Sequence, residues 1–139
     1  MTRPSCLVLL ALVLGLPLPG YATSGGQSSP PTAVDLENAA RAYREHLARN
    51  PGDAKVRSNL GAVLSALGRY GEAIEAYKEA LALAPADPVI RLNLALAYYK
   101  SADIPRAAEE LDSLHREQPG DQRTTLLLAD CRLRLGEYE

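Results

Sequence analysis

The sequence predicts an all-α solenoid of stacked antiparallel helix pairs, with six helices in all. Three observations predict it. Pro51, Pro85 and Pro119 stand 34 residues apart. Asp53, Asp87 and Asp121 follow each proline by two positions. Other residue types fall into the same frame: Leu60, Leu94 and Leu128; Ala39, Ala73 and Ala107; Tyr43 and Tyr77 with Leu111; Gly68 and Gly136 with Ala102 between them. A fixed period in this range marks repeats that stack and bury a shared core.

The N-terminus carries a different pattern. Arg3 gives a short basic start, Cys6–Leu16 is an apolar core too short to span a bilayer, and Gly15, Pro17 and Pro19 break it. Gly20-Tyr21-Ala22 then places small residues before a cut after Ala22. Residues 1–22 therefore have the form of a secretory signal peptide, the alternative being an uncleaved amphipathic or buried N-terminus. Cys6 precedes the apolar core instead of following it, so a lipid anchor is not indicated. Cleavage would leave Cys131 as the one thiol, either a small buried core residue or a site of dimerisation. The expected location is outside the cytoplasm, periplasmic or secreted, and the signal's form points to a bacterium. Residues 23–34 (TSGGQSSPPTAV) are uncharged and rich in Gly, Ser and Pro, which makes them a flexible tether.

The helical pattern begins at Asp35. Leu36, Ala39, Ala40, Tyr43 and Leu47 make one apolar face up to Arg49. Asn50-Pro51-Gly52-Asp53 stops this helix, and Asp53 is placed to cap the next, Ala54–Leu67, by accepting from its first free N–H groups. Gly68 suits a left-handed C-terminal cap. The third helix runs from Gly71 to Ala84. Asp87-Pro88 combines a capping carboxylate with proline at the first helical position and opens the fourth, Pro88–Ser101. Pro105 fits the first turn of the fifth, which runs to about Glu117. Gln118-Pro119-Gly120-Asp121 repeats the stop and cap, and Gln122–Leu135 ends at Gly136. The connections are short enough to force antiparallel neighbours.

Composition narrows the function. The 139 residues carry a net charge of −2, with no Trp, no Phe and seven Tyr. There is no basic stripe of the kind that neutralises phosphates, so nucleic acid is not an expected partner. No apolar run reaches the roughly 20 residues of a spanning helix, so no membrane span is expected after signal cleavage. No catalytic constellation is present. His46 and His115 fall on different helices, whereas a metal site needs three or four ligands together. Asp112 and His115 are expected to form a solvated surface pair, and Glu72, Glu75 and Glu79 a wet helix face. No enzyme activity, cofactor or metal is expected.

These columns resemble the tetratricopeptide repeat (TPR), whose 34-residue helix–turn–helix unit carries Leu and a small residue in its first helix and small, aromatic and proline columns in its second. The first full repeat, residues 54–87, has Leu60, Gly61, Gly68, Tyr70, Ala73, Tyr77, Ala80 and Pro85 in these places. The second, residues 88–121, has Leu94, Ala95, Tyr98, Ala107, Leu111 and Pro119, and departs at Ala102 and Leu114. Residues 35–53 form a half repeat, with His46 in a small-residue column, and residues 122–139 a truncated one. The resemblance implies a right-handed superhelix in which Gly61 and Ala73 permit close helix approach while Leu60 and Tyr77 fill the space between. It leaves the last helix without its partner, with an apolar side including Leu128 and Leu135 expected to face water. That implies a fragment of a longer protein or cover by another chain, with self-association through the uncapped helix as a further option.

The resemblance also implies where function lies. The first helices of successive repeats line a concave groove that receives a peptide or partner protein. The groove positions implied to bind are Lys55 and Asn59 in the first full repeat; Leu92, Asn93, Leu96, Tyr99 and Lys100 in the second; and Arg123 in the last. Asn59 and Asn93 share a column, and an amide that donates and accepts at once can read peptide main chain. The expected function is a non-catalytic interaction scaffold in the cell envelope; the alternative is the N-terminal TPR module of a larger enzyme or envelope machine.

Overall fold

The computed structural model describes residues 30–136. The segment expected to be a signal peptide, and nearly all of the expected tether, lie outside the described residues. Six helices follow in order: α1 Ala33–Arg49, α2 Ala54–Ala66, α3 Tyr70–Leu83, α4 Pro88–Lys100, α5 Ile104–Glu117 and α6 Gln122–Leu135. No strand occurs among the described residues. Each helix packs on the next along the chain, and α2 also touches α4. The array is a two-layer solenoid, with α2, α4 and α6 in one layer and α1, α3 and α5 in the other.

Helix starts follow the capping carboxylates. Asp53 accepts from Val56 N–H, Asp87 from Val89 and Ile90, and Asp121 from Arg123 and Thr124. Asp103 caps α5 through Arg106 N–H. The first helix begins two residues before the expected Asp35. Thr32 and Asp35 form a capping box in which each side chain bonds the other's backbone N–H, so the last three residues assigned to the tether belong to the helical array.

Helix ends come in two kinds, and each has a local cause. The second-layer helices α1, α3 and α5 stop at Asn50, Ala84 and Gln118, whose φ/ψ values are −132°/71°, −136°/71° and −136°/72°. Each precedes a proline, whose ring excludes the helical region for its predecessor. The helices α2, α4 and α6 run into left-handed residues: Gly68 at φ 75°, Ala102 at φ 65° and Gly136 at φ 76°. Ala102 holds this conformation against the steric cost of its Cβ. Ala102→Gly is therefore expected to stabilise the fold by about 1 kcal/mol, read as a higher urea midpoint at unchanged m-value.

The capping carboxylates also set the acid limit of stability. The Thr32 hydroxyl holds Asp35 below the ordinary carboxylate range, the Val56 N–H does the same for Asp53, and the Thr124 hydroxyl for Asp121. A carboxylate whose folded-state pKa is depressed stabilises the fold fully above its unfolded value near about 4, and that contribution vanishes as pH falls through the lower folded value. Glu110, pushed up by burial, opposes this in part. The urea midpoint is expected to be flat from neutral pH to about 5 and to fall below about 4.

The core runs the length of the array and is built from the repeating columns. Ala73, Ala107, Tyr77 and Leu111 are all almost fully buried. Gly61 lies beneath the Tyr77 ring, close enough that an added Cβ would stand 2.8 Å from Tyr77 Cε1. Cys131 is a free, fully buried thiol.

A second repeated device escaped the sequence. Arg57 and Arg91 share a column, and each donates from Nη2 to the carbonyl of the preceding loop proline, Pro51 at 2.8 Å and Pro85 at 2.9 Å. Their Nη1 atoms reach across to the following helix, Arg57 to Glu79 and Arg91 to Glu117 and Ser113. Each arginine thus ties a turn to both helices of its pair.

Candidate functional site

The groove face is built by α2, α4 and α6, which run parallel because one antiparallel helix lies between each pair. Three columns of side chains cross it. One holds Ser58, Leu92 and Leu126, the next Ala62, Leu96 and Asp130, and the third Ser65, Tyr99 and Leu133. The face therefore changes along the array from small and weakly polar on α2 to bulkier on α4 and α6, where leucines flank the Tyr99–Asp130 pair.

The structure distributes the expected site residues unevenly. Lys55, Lys100 and Arg123 are exposed, with no carboxylate partner among the described residues. Leu92 and Leu96 are half-buried, and Leu92 packs against the core. Asn93 is buried, as are Ser58 and Ala62 in the columns beside it. A column count alone does not show this burial. Asn59 is half-buried.

Asn93 instead lines a cavity of about 50 Å³ between α2 and α4. Its walls are Ala62 and Ser65 from α2, and Leu96 and Ala97 from α4. Tyr77 lines it from α3, with its phenol pushed well up by burial, an effect the neighbouring Ser65 hydroxyl partly offsets. Lys100 stands at the end of the same cavity.

Tyr99 also makes a contact between helices. Its hydroxyl donates to Asp130 Oδ2 at 2.5 Å, Arg134 Nε donates to the same oxygen at 2.8 Å, and the Arg134 guanidinium lies 4.8 Å from the Tyr99 ring centre. The hydroxyl and guanidinium hold Asp130 below the ordinary carboxylate range, and the carboxylate raises Tyr99. This arrangement joins α4 to α6 across the groove floor. The partners lie 31 residues apart, in different repeats, so no local pattern shows the contact.

The terminal helix also differs from expectation. Leu128 is only 4% exposed and Leu135 is half-buried, both covered by packing on the preceding helix. The apolar side chains that α6 exposes are Leu126, at 72%, and Leu133, at 58%. Asp112 and His115 do not pair with each other. Asp112 takes Arg116 and, from α6, Arg132 at 2.9 Å, while His115 Nδ1 lies 3.3 Å from Thr125 Oγ1.

Comparison with known proteins agrees with this architecture. No curated protein sequence matches the chain significantly. Among solved structures, the crystal structure of MamA is similar at TM-score 0.70 and 21% sequence identity, over 75% of this chain and 61% of that one. The chain thus spans somewhat under two thirds of that protein's length. Residues 22–139 match the family described as the cytochrome c-type biogenesis protein H TPR domain. With that match and the six-helix repeat array in place, the chain belongs to this TPR family.

Proposed function

We propose that the chain is a non-catalytic adaptor that holds a peptide or partner protein in the groove of α2, α4 and α6, in the cell envelope, and serves the cytochrome c-type biogenesis for which its family is named. The observation that carries this reading is the apolar groove surface. Leu126 and Leu133 are exposed on α6, in the same columns as Leu92 and Tyr99 on α4. Two exposed leucines on one helix, continued on α4 by the half-buried Leu92 and Tyr99, make an apolar surface of the kind that takes part in interactions. Lys55, Asn59, Lys100 and Arg123 supply polar contacts around it. The secretory form of residues 1–22 supports the envelope location, and no helix among the described residues is long and apolar enough to cross a membrane.

The test is affinity capture from the native envelope with the full chain, repeated with groove variants. Leu126→Asp combined with Leu133→Asp is expected to lower retention of the specific partner at least about tenfold, which is about 1.4 kcal/mol. Both positions are exposed, so helicity by circular dichroism should stay unchanged. Glu109→Lys, exposed on α5 outside the groove, should leave capture intact. Retention that survives the double substitution rejects the groove as the binding surface.

A further inference from the structure

Away from the concave groove, α1 and α6 carry faces that complement each other. We infer that copies of this chain stack head to tail, with α6 of one copy docked on α1 of the next to complete a helix pair. Register, shape and charge each contribute to the assignment.

Inside the array, each first-layer helix packs on the second-layer helix that follows it, α2 on α3 and α4 on α5. Among the described residues, α6 has the first-layer pattern and no such helix after it, and α1 has the second-layer pattern and no first-layer helix before it. Exposure in the 34-residue columns reflects this. Gly61 and Ala95 are buried, but Ala129 in the same column is exposed. Ala76 is 7% exposed, but Ala42 in its column is exposed. Ala73 and Ala107 are fully buried, while Ala39 is half-buried. The small residues that let helices approach are thus open on α1 and α6 alike, on the faces that pair inside the array.

The seat is already shaped. An open groove of about 640 Å³ runs between α5 and α6, with Ala108 and Asp112 on one wall and Leu128 and Leu135 on the other. Its counterpart inside the array holds Arg44 of α1 and Leu60 and Leu64 of α2, and α3 borders it with Ala76. Leu128 stands in the column of Leu60, and Asp112 in the column of Arg44. A second copy's α1 brings Ala42 in the column of Ala76 and Tyr43 in that of Tyr77, so it presents the face that α3 presents to α2. Ala129 needs slightly wider spacing beneath Tyr43 than Gly61 does beneath Tyr77. A docked helix can take that spacing, because no short turn fixes its distance.

Charge agrees with the same register. Arg44 faces Glu72 and Glu75 in the inner groove and bonds Glu72 at 3.5 Å. One junction further, Arg44 is replaced by Asp112, and Glu72 and Glu75 correspond to Asn38 and Arg41 of a second copy. Both signs reverse together, so the carboxylate of Asp112 meets the guanidinium of Arg41. Both halves of the contact lie on this one chain, which makes a second copy the occupant.

Sedimentation velocity of the full chain at rising concentration, up to about 1 mM, follows the assembly. Its mass is expected to grow past that of a dimer, because a head-to-tail contact leaves one face open on each outer copy. Ala42→Arg blocks the α1 face and Ala129→Arg the α6 face. Both positions are exposed, so circular dichroism should be unchanged. Each variant alone should stay monomeric. Mixed in equal amounts, they should form a one-to-one dimer and nothing larger, since the open α6 face of the first meets the open α1 face of the second. Arg41→Asp, which sets two carboxylates against each other, should weaken association at least about fivefold at low salt. A chain that is monomeric throughout overturns the stacking, as does assembly that stops at a dimer. Assembly of either blocked variant alone, or association that Arg41→Asp leaves unchanged, overturns it too.

Discussion

Tyr77→Ala is expected to cost about 3–5 kcal/mol. Tyr77 is among the largest fully buried side chains, at 1% exposure. Its ring lies over Gly61 on α2, and its outer edge lines the groove cavity beside α4. Removing it opens a void where three helices meet, and the helices cannot close on the void without breaking the register of neighbouring pairs. A domain of this size has a total stability of about 5–15 kcal/mol, so the loss is a large fraction of the whole. At about 4–8 °C per kcal/mol, the thermal midpoint should fall by about 12 °C or more. A fall of only a few degrees would mean that α2 and α3 are not held by this contact.

Gly61→Val is the second large effect, with an expected loss of about 1–3 kcal/mol from overpacking. A Cβ at this position would lie 2.8 Å from Tyr77 Cε1, 2.9 Å from Cδ1 and 3.0 Å from Cζ. A side chain at the surface would swing away, but the buried ring has no free space. For Gly61→Ala two effects compete, since alanine favours a helix interior over glycine by about 1 kcal/mol. The close approach should win, because relieving it requires α2 to move away from α3 along the pair. A double-substitution cycle isolates the contact. In the Tyr77→Ala background the clash is gone, and Gly61→Ala should become stabilising by up to about 1 kcal/mol. Denaturant midpoints of the four proteins measure it, and two additive losses would show that Gly61 and Tyr77 act independently.

Much of this contact was legible in the sequence. The small residue at Gly61 and the aromatic at Tyr77 lie in fixed columns of the 34-residue frame, and close helix approach needs that combination. Asp53, Asp87 and Asp121 were legible as caps because capping is a contact within one turn. The Thr32–Asp35 capping box was equally local. It was missed because the Gly, Ser and Pro content of the preceding residues dominated the assignment. Arg57 and Arg91 were not legible as clamps, because their acceptors include loop carbonyls that only the folded turn places within reach. The pairing of Tyr99 with Asp130 was hidden for a similar reason: the partners are 31 residues apart in sequence.

The candidate site divides along the same line. The columns identified which helices build the groove and which residues stand near it, and Lys100 and Leu96 do line the cavity. They did not reveal that Ser58, Ala62 and Asn93 are buried, or that Leu126 and Leu133 are the exposed leucines of the last helix while Leu128 is covered. By itself, the sequence determined the period, the helix boundaries and the small-against-large pairing within each repeat, because these depend on backbone sterics and on neighbours at fixed spacing. Only the tertiary structure decided which groove residues face solvent and which line a cavity between repeats. Those outcomes depend on the distances and angles between helices of different repeats, which are set by the summed volumes of all the side chains packed between them.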